Sequence, residues 1–254
     1  MVIDKNCEAI LARAPALAVP FFTGGWQDMK IGKKLTGVLC MLGMLVSLLH
    51  MDNAVQAKVY RDGFTYQKLP GQIKKKIKGV SFHKNSYITY DDLRYVRVKY
   101  YNFSGEVKNG ELIVNKKIAK KTAQIFYELF QIKYPIQRIC LIDEYNADDE
   151  KSMEANNTSS FNFRTVAGTN RLSKHALGLA IDINPRINPY INSKGILTPE
   201  NGKAYRVRNI KKCKGKYASY MIQKNSQITK IFKKYGFSWG GDWKYSKDYQ
   251  HFEV

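Results

Sequence analysis

Two short stretches hold the residue types that a hydrolytic metal site requires. In Ser173-Lys174-His175-Ala176-Leu177-Gly178-Leu179-Ala180-Ile181-Asp182 a histidine precedes an aspartate by seven residues. Gly178 between them can bend the chain so that both meet one ion. Near the C-terminus, Asp248-Tyr249-Gln250-His251-Phe252-Glu253 offers a third ligand with a carboxylate three residues before it. His175, Asp182 and His251 would supply three N/O ligands to one Zn2+ ion and leave a fourth position for water, whose pKa falls to about 7 in such sites. Asp248 is then placed to take a proton from that water and return it to a leaving amine. Glu253, two residues from His251 on the same strand face, can orient the imidazole from behind. Spacing alone is only suggestive, since a single histidine is more often a surface or structural residue. His83, between Phe82 and Lys84, reads that way.

These residues need elements to carry them. Leu179 to Asn184 reads as a strand with Leu179, Ile181 and Ile183 on one side and Ala180, Asp182 and Asn184 on the other. Tyr249 to Val254 reads as a terminal strand, and Ser226 to Tyr235 as a helix ended by Gly236. Upstream, Leu93 to Phe103 alternates as a strand, with Leu93 and Tyr95 opposite Arg94, Val96 and Val98. Gly105 to Val114 follows, with Asn109-Gly110 as the hairpin turn signal. Apolar residues from Ile118 to Phe130 recur at helical spacing over 115–133, with Asn115 as N-cap and Pro135 as stop. Arg138 to Tyr145 reads as a buried strand in which Asp143 has a core role. Residues 147–172 are polar and turn-rich, a wall for a site and not a core. Residues 186–225 read as a basic surface loop.

The motifs S-K-H-A-L-G-L-A-I-D and D-Y-Q-H-F-E resemble the SxHxxGxAxD and [ED]xxH motifs of the VanY-type zinc D-alanyl-D-alanine carboxypeptidases and L-alanyl-D-glutamate endopeptidases. S-M-E-A-N-N-T-S-S-F-N-F-R, A-I-D-I-N-P and W-G-G-D-W are similar to the endopeptidase branch, and the resemblance covers roughly residues 90–254. It implies an α+β fold, a small antiparallel sheet flanked by helices with the zinc in a groove, as in hedgehog and D-Ala-D-Ala peptidase domains. By the same resemblance His175, Asp182 and His251 are the zinc ligands and Asp248 is the catalytic acid/base, where several members have Glu. Arg164 takes the place of the arginine that steadies the scissile carbonyl, where a guanidinium would stabilise an oxyanion. Ser173, Asp242 and Trp243 are candidate substrate-binding residues, with capping and turn roles competing for the first two. Trp239 and Trp243 suit either a cleft lining or a core. The implied substrates are peptidoglycan stem peptides, cut either at the terminal D-Ala or between L-Ala and D-Glu. A rival reading is a non-catalytic wall-binding module that retains the metal site.

Residues 29–57 have the parts of an export signal: basic Lys30, Lys33 and Lys34, an apolar run from Leu35 to Leu49, and Val55-Gln56-Ala57 as the cleavage end. Residues 1–28 read as an upstream extension, with translation starting at Met29. The expected organisation is therefore extension, signal, a basic segment over 58–90 and a catalytic domain over 91–254, exported to the periplasm, wall or exterior. The 254-residue chain carries a net charge of +21, of which +20 stays with residues 58–254. That excess suits anionic cell-wall polymers, with the Lys211–Lys216 loop as the candidate contact. Membrane contact is expected only through an uncleaved signal. Nucleic acid is excluded by export and by the lack of any nucleic-acid-binding motif. With 44% hydrophobic residues the chain can bury a core, which excludes disordered and collagen-like classes. No CxxC motif occurs, and Cys140 and Cys213 are free to pair in an oxidising compartment.

Overall fold

The computed structural model describes residues 56–254 apart from Ala167, and these described residues belong to one unit. The expected upstream extension and the signal, up to residue 55, lie outside the described residues. Beyond them the basic segment is no detached arm. Its β1 (Lys58–Arg61) and β2 (Phe64–Lys68) form a hairpin. This hairpin extends the sheet of β3 (Leu93–Tyr101) and β4 (Val107–Asn115) in the order β1-β2-β3-β4. Helix α1 (Gly71–Ile77) follows β2. A boundary at residue 90 would cut through this sheet, because Tyr66 pairs with Val96.

The alternation over β3 is correct and both of its faces are buried. Val96, Val98, Leu112 and Val114 pack with Phe126 and Leu129 of α2 (Ala119–Gln131). Leu93, Tyr95 and Ile113 pack with Ile73 and Ile77 of α1 and with Leu141 and Phe161. The hairpin turn falls earlier than Asn109-Gly110. Asn102 Oδ1 accepts from the amides of Ser104 and Glu106, both at 2.9 Å, and Gly105 has φ +80°. Gly110 instead pairs with Val98 inside β4, where a Cβ would come within 2.6 Å of Ile139 Cβ. A glycine required for close approach thus imitated a turn signal. Helix α2 also starts later than expected, since Asn115 ends β4.

The predicted strand over 138–145 shrinks to β5 (Arg138–Ile139), which pairs in parallel with β6 (Asn157–Thr158) and is followed by a 3-10 turn over Ile142–Tyr145. An apolar run gives burial without saying whether the backbone stays extended. Asp143 accepts from Ser81 Oγ at 2.9 Å, the structural role expected of it. The 147–172 stretch carries α3 (Asp149–Glu154), and Asn156, Asn157, Thr158, Ser160 and Asn162 are buried. Its expected exposure is corrected: polar side chains enter an interior when the backbone supplies their partners, as Cys140 N and O do for Asn157.

The C-terminal half adds two small antiparallel sheets. The first has the order β10-β12-β7, from β7 (Ala180–Asp182), β10 (Ser238–Trp239) and β12 (His251–Glu253). Helix α4 (Gln227–Lys234) covers it, with Phe232 stacked on Phe252 at 3.9 Å. The second has the order β11-β8-β9, from β8 (Tyr190–Ile191), β9 (Leu197–Thr198) and β11 (Lys247–Asp248). Residues 186–225 are more than a surface loop, because Ile187, Tyr205, Ala218 and Met221 form a core of their own. The fold is thus mixed, with small antiparallel sheets and few helices. No helix among the described residues is long and apolar enough to cross a membrane. Cys140 and Cys213 do not form a disulfide.

Candidate active site

Strand register brings the first and last motifs together. In the β7–β12 ladder Asp182 faces His251 directly, and Ile181 faces Phe252 with both side chains in the core. Slipping this pair by one residue would turn Asp182 into the core and Ile181 toward the site. The far side of Asp182 is met by a 3-10 turn over His175–Leu177. Ser173 Oγ accepts from the His175 amide at 3.2 Å, and Gly178 ends the turn at φ +64°. A Cβ on Gly178 would lie 2.7 Å from the Asn115 amide nitrogen, while the Gly178 carbonyl accepts from that amide at 2.8 Å. The glycine of the motif therefore serves the backbone reversal that separates His175 from β7.

His175, Asp182 and His251 are all buried, and their potential ligand atoms lie within 4.8 Å of one another. Asp182 Oδ1 is 3.0 Å from His251 Nδ1, Asp182 Oδ2 is 3.2 Å from His175 Nε2, and those two nitrogens are 3.2 Å apart. The outer ring nitrogens are engaged. His175 Nδ1 lies 2.6 Å from the Ser160 carbonyl, which can only accept, so this nitrogen donates. His251 Nε2 lies 3.1 Å from Glu253 Oε2. With the outer nitrogens so engaged, both inner nitrogens face the Asp182 carboxylate, and in their deprotonated form they can turn lone pairs toward a cation held between the three residues. Tetrahedral zinc with bonds of about 2.0–2.1 Å places its ligand atoms roughly 3.3 Å apart, close to the separations found here. The donor set fits that metal.

The charges favour a cation as well. Burial works against an ionised Asp182, but the two imidazoles overcome it and hold the carboxyl far below the usual carboxylate range. Burial likewise opposes a charged His251, yet hydrogen bonds to Asp182 and Glu253 push it up to about 10. Glu253 is held low by its hydrogen bond with His251. Asp248 behaves in the opposite way: burial, aided by the charge of Asp182 and opposed by His251 and His175, pushes its carboxyl up to about 7. Its Oδ1 is buried and has no hydrogen-bond partner among the described residues. Strand β11 sets Asp248 opposite Tyr190 of β8. Gly240 lies against both Asp248 and His251, since a Cβ there would be 2.8 Å and 3.3 Å from their Cβ atoms.

The other sequence candidates divide. The Trp243 ring is 5.3 Å from the His251 ring and walls the cluster, whereas Trp239 is core. Asp242 is exposed and pairs with Lys233 at 2.7 Å. Arg164 forms an ion pair with Asp149, and its Nε is buried without a partner. It lines a cavity of about 400 Å³ with His83, Asn146, Asn162 and Phe163, and none of the three cluster residues lines that cavity. Its backbone is nonetheless tied to the motif, as the Ser173 amide donates to the Arg164 carbonyl at 3.1 Å. Sequence reasoning missed the Ser160 carbonyl, because a main-chain acceptor leaves no residue signature. It gave Gly240 no role of its own, although W-G-G-D-W is among the stretches similar to the endopeptidase branch. It also missed Gln250, 2% exposed and next to His251, whose Oε1 is buried without a partner.

Comparison with curated proteins and with solved structures gives no significant match. Residues 167–254 match the family model described as D-alanyl-D-alanine carboxypeptidase. That span, about a third of the chain, holds His175, Asp182, His251 and Asp248 on the three short elements just described, and over it the chain is similar to the VanY-like D-alanyl-D-alanine carboxypeptidases.

Proposed function

We propose that this protein is an exported zinc peptidase that hydrolyses peptide bonds of peptidoglycan stem peptides. The observation that carries the proposal is the convergence of His175, Asp182 and His251 beside a buried carboxyl, Asp248, that has one oxygen without a partner. Zinc held by those three residues would supply Lewis acidity and lower the pKa of water toward about 7. Asp248, with its carboxyl near the middle of the neutral range, is suited to accept a proton from water and deliver it to the leaving amine. Glu253 and the Ser160 carbonyl fix both imidazoles, so the ligand geometry is set before substrate arrives. Trp243 gives the stem peptide an aromatic wall. Arg164, ion-paired with Asp149 and lining a cavity that the cluster residues do not, is the candidate for steadying the substrate carbonyl. Ser173 acts chiefly through its cap on His175. The net charge of +20 over 58–254 suits work within an anionic envelope.

The test is mass spectrometry of defined stem peptides and purified peptidoglycan after incubation with residues 58–254, with and without a chelator. Loss of one D-Ala identifies a carboxypeptidase, and release between L-Ala and D-Glu an endopeptidase. Zinc-loaded, folded protein that leaves every stem peptide intact would overturn the proposal in favour of a binding module.

A further inference from the structure

Between Asp182 and Asp242 the sequence holds thirteen Lys and Arg and one acidic residue, Glu200. Glu200 is already paired with Lys203. Lys194, Arg206, Lys211, Lys212, Lys214 and Lys216 are exposed on the lobe that hangs from β8 and β9. One cation of the lobe points inward instead. Arg208 donates to the carbonyls of Ile187 at 2.8 Å and Ile222 at 3.0 Å and to Asn188 Oδ1 at 2.9 Å, and its guanidinium lies 4.3 Å from the Tyr249 ring. The lobe is thereby fastened to the strand pair that carries Asp248, and its other cations are left facing solvent.

The lobe has an interior for its apolar side chains, since Tyr205, Ala218 and Met221 are buried there with Tyr217 and Phe103 packed against them. Ile196, Val207 and Ile210 nevertheless stay 58%, 48% and 44% exposed. Arg206 donates to the Gly195 carbonyl at 2.7 Å, which brings the 195–196 turn against residues 206–207. The amides of Lys212 and Cys213 both donate to the Asn209 carbonyl, so the chain turns there and shows Ile210 beside Lys211 and Lys212. A soluble polyanion would make use of the cations and gain nothing from the aliphatic residues. An anionic bilayer uses both, with ammonium and guanidinium groups at the phosphates and aliphatic side chains in the headgroup–acyl boundary.

We propose that the face formed by residues 194–216 is a peripheral docking surface for an anionic lipid bilayer. It acts independently of any N-terminal apolar segment and of the peptidase reading of the site. Binding of residues 58–254 is measured by flotation with vesicles of phosphatidylglycerol and phosphatidylcholine, beside vesicles of phosphatidylcholine alone. Thermal unfolding confirms that each variant is folded. The expected result is binding to the anionic vesicles only, weakened at about 0.5 M salt. Replacing Lys211, Lys212, Lys214 and Lys216 with Gln should weaken it about a hundredfold or more. A separate Ile196→Ser, Val207→Ser, Ile210→Ser variant, which keeps every charge, should weaken it about tenfold or more. Absence of vesicle binding would overturn the proposal. So would an aliphatic variant that binds like the parent, since the surface would then respond to charge alone, as for a soluble phosphodiester polymer.

Discussion

Asp248 and Glu253 stand on either side of His251 with opposite environments, and the two carboxylates should fail differently when altered. Asp248 keeps a buried oxygen without a partner, while Glu253 is committed to the His251 ring. Asp248→Asn should therefore cost about 10²- to 10⁴-fold in stem-peptide cleavage, the range for a general acid–base. Bound zinc, measured by elemental analysis, should stay near one ion per chain. Glu253→Gln should act on the metal first, lowering zinc affinity about 10- to 100-fold in a competition titration with a chromophoric chelator. Equal loss of zinc in both variants would contradict this division. Much of the distinction was legible beforehand, because D-x-x-H-x-E places one carboxylate three residues and the other two residues from the histidine. The partner of His175 was not legible, since the Ser160 carbonyl has no side-chain type to reveal it. Arg164 shows a further limit, as its ion partner Asp149 is fifteen residues away with nothing in the intervening sequence to announce the pair.

The elements that carry these residues are short, so their positions depend on close backbone approaches and not on long ladders. Gly178 and Gly240 are the two such approaches at the site. Gly178→Ala sets a side chain at φ +64° against the Asn115 amide and should destabilise the fold by about 1–3 kcal/mol, read as a fall in the urea midpoint. Gly240→Ala has no unfavourable φ to contend with. Its Cβ would strike Asp248, within 2.8 Å of that residue's Cβ, so activity should fall more steeply than stability. A cleavage assay beside an unfolding curve separates the two effects. At this scale the sequence was read unevenly. The alternation of Leu179–Asn184 correctly put Asp182 opposite the apolar residues, because a period of two survives even in a three-residue strand. Over 138–145 a continuous apolar run concealed a two-residue bridge and a 3-10 turn. At Asn109-Gly110 a glycine that admits the Ile139 side chain against its backbone imitates a hairpin turn signal.

Across the whole molecule, two buried polar centres join the C-terminal elements, the His-Asp-His cluster and Arg208. Removing metal from the first should lower the thermal midpoint, and the midpoint should rise with the logarithm of free zinc concentration, since a ligand that binds only the native state stabilises it by RT ln(1 + [L]/Kd). A chelator titration followed by calorimetry checks this, and an unchanged midpoint would argue against a bound ion. Among the described residues Arg208 forms no ion pair; its two terminal nitrogens donate to carbonyls and Asn188 and its guanidinium lies over an aromatic ring, while its Nε is buried without a partner. Burial pulls it down to about 10, and it remains charged at neutral pH. Arg208→Gln should destabilise the protein by about 2 kcal/mol or more, because hydrogen bonds to a charged group are lost and their carbonyl partners stay buried. The measurement is again a denaturant midpoint.

The sequence by itself determined the chemistry-bearing residues, the alternation that turns Asp182 away from the apolar core, a helical apolar face within residues 115–133 and the excess of basic residues. Each of these follows from residue type and a short local period. Only the tertiary structure decided that Asp182 lies opposite His251, that the Ser160 carbonyl holds the His175 imidazole, that the 58–68 hairpin belongs to the main sheet and that Asn156, Asn157 and Asn162 are interior. Those facts depend on register and on backbone partners distant in the chain. A main-chain carbonyl has the same identity at every position until folding brings something against it.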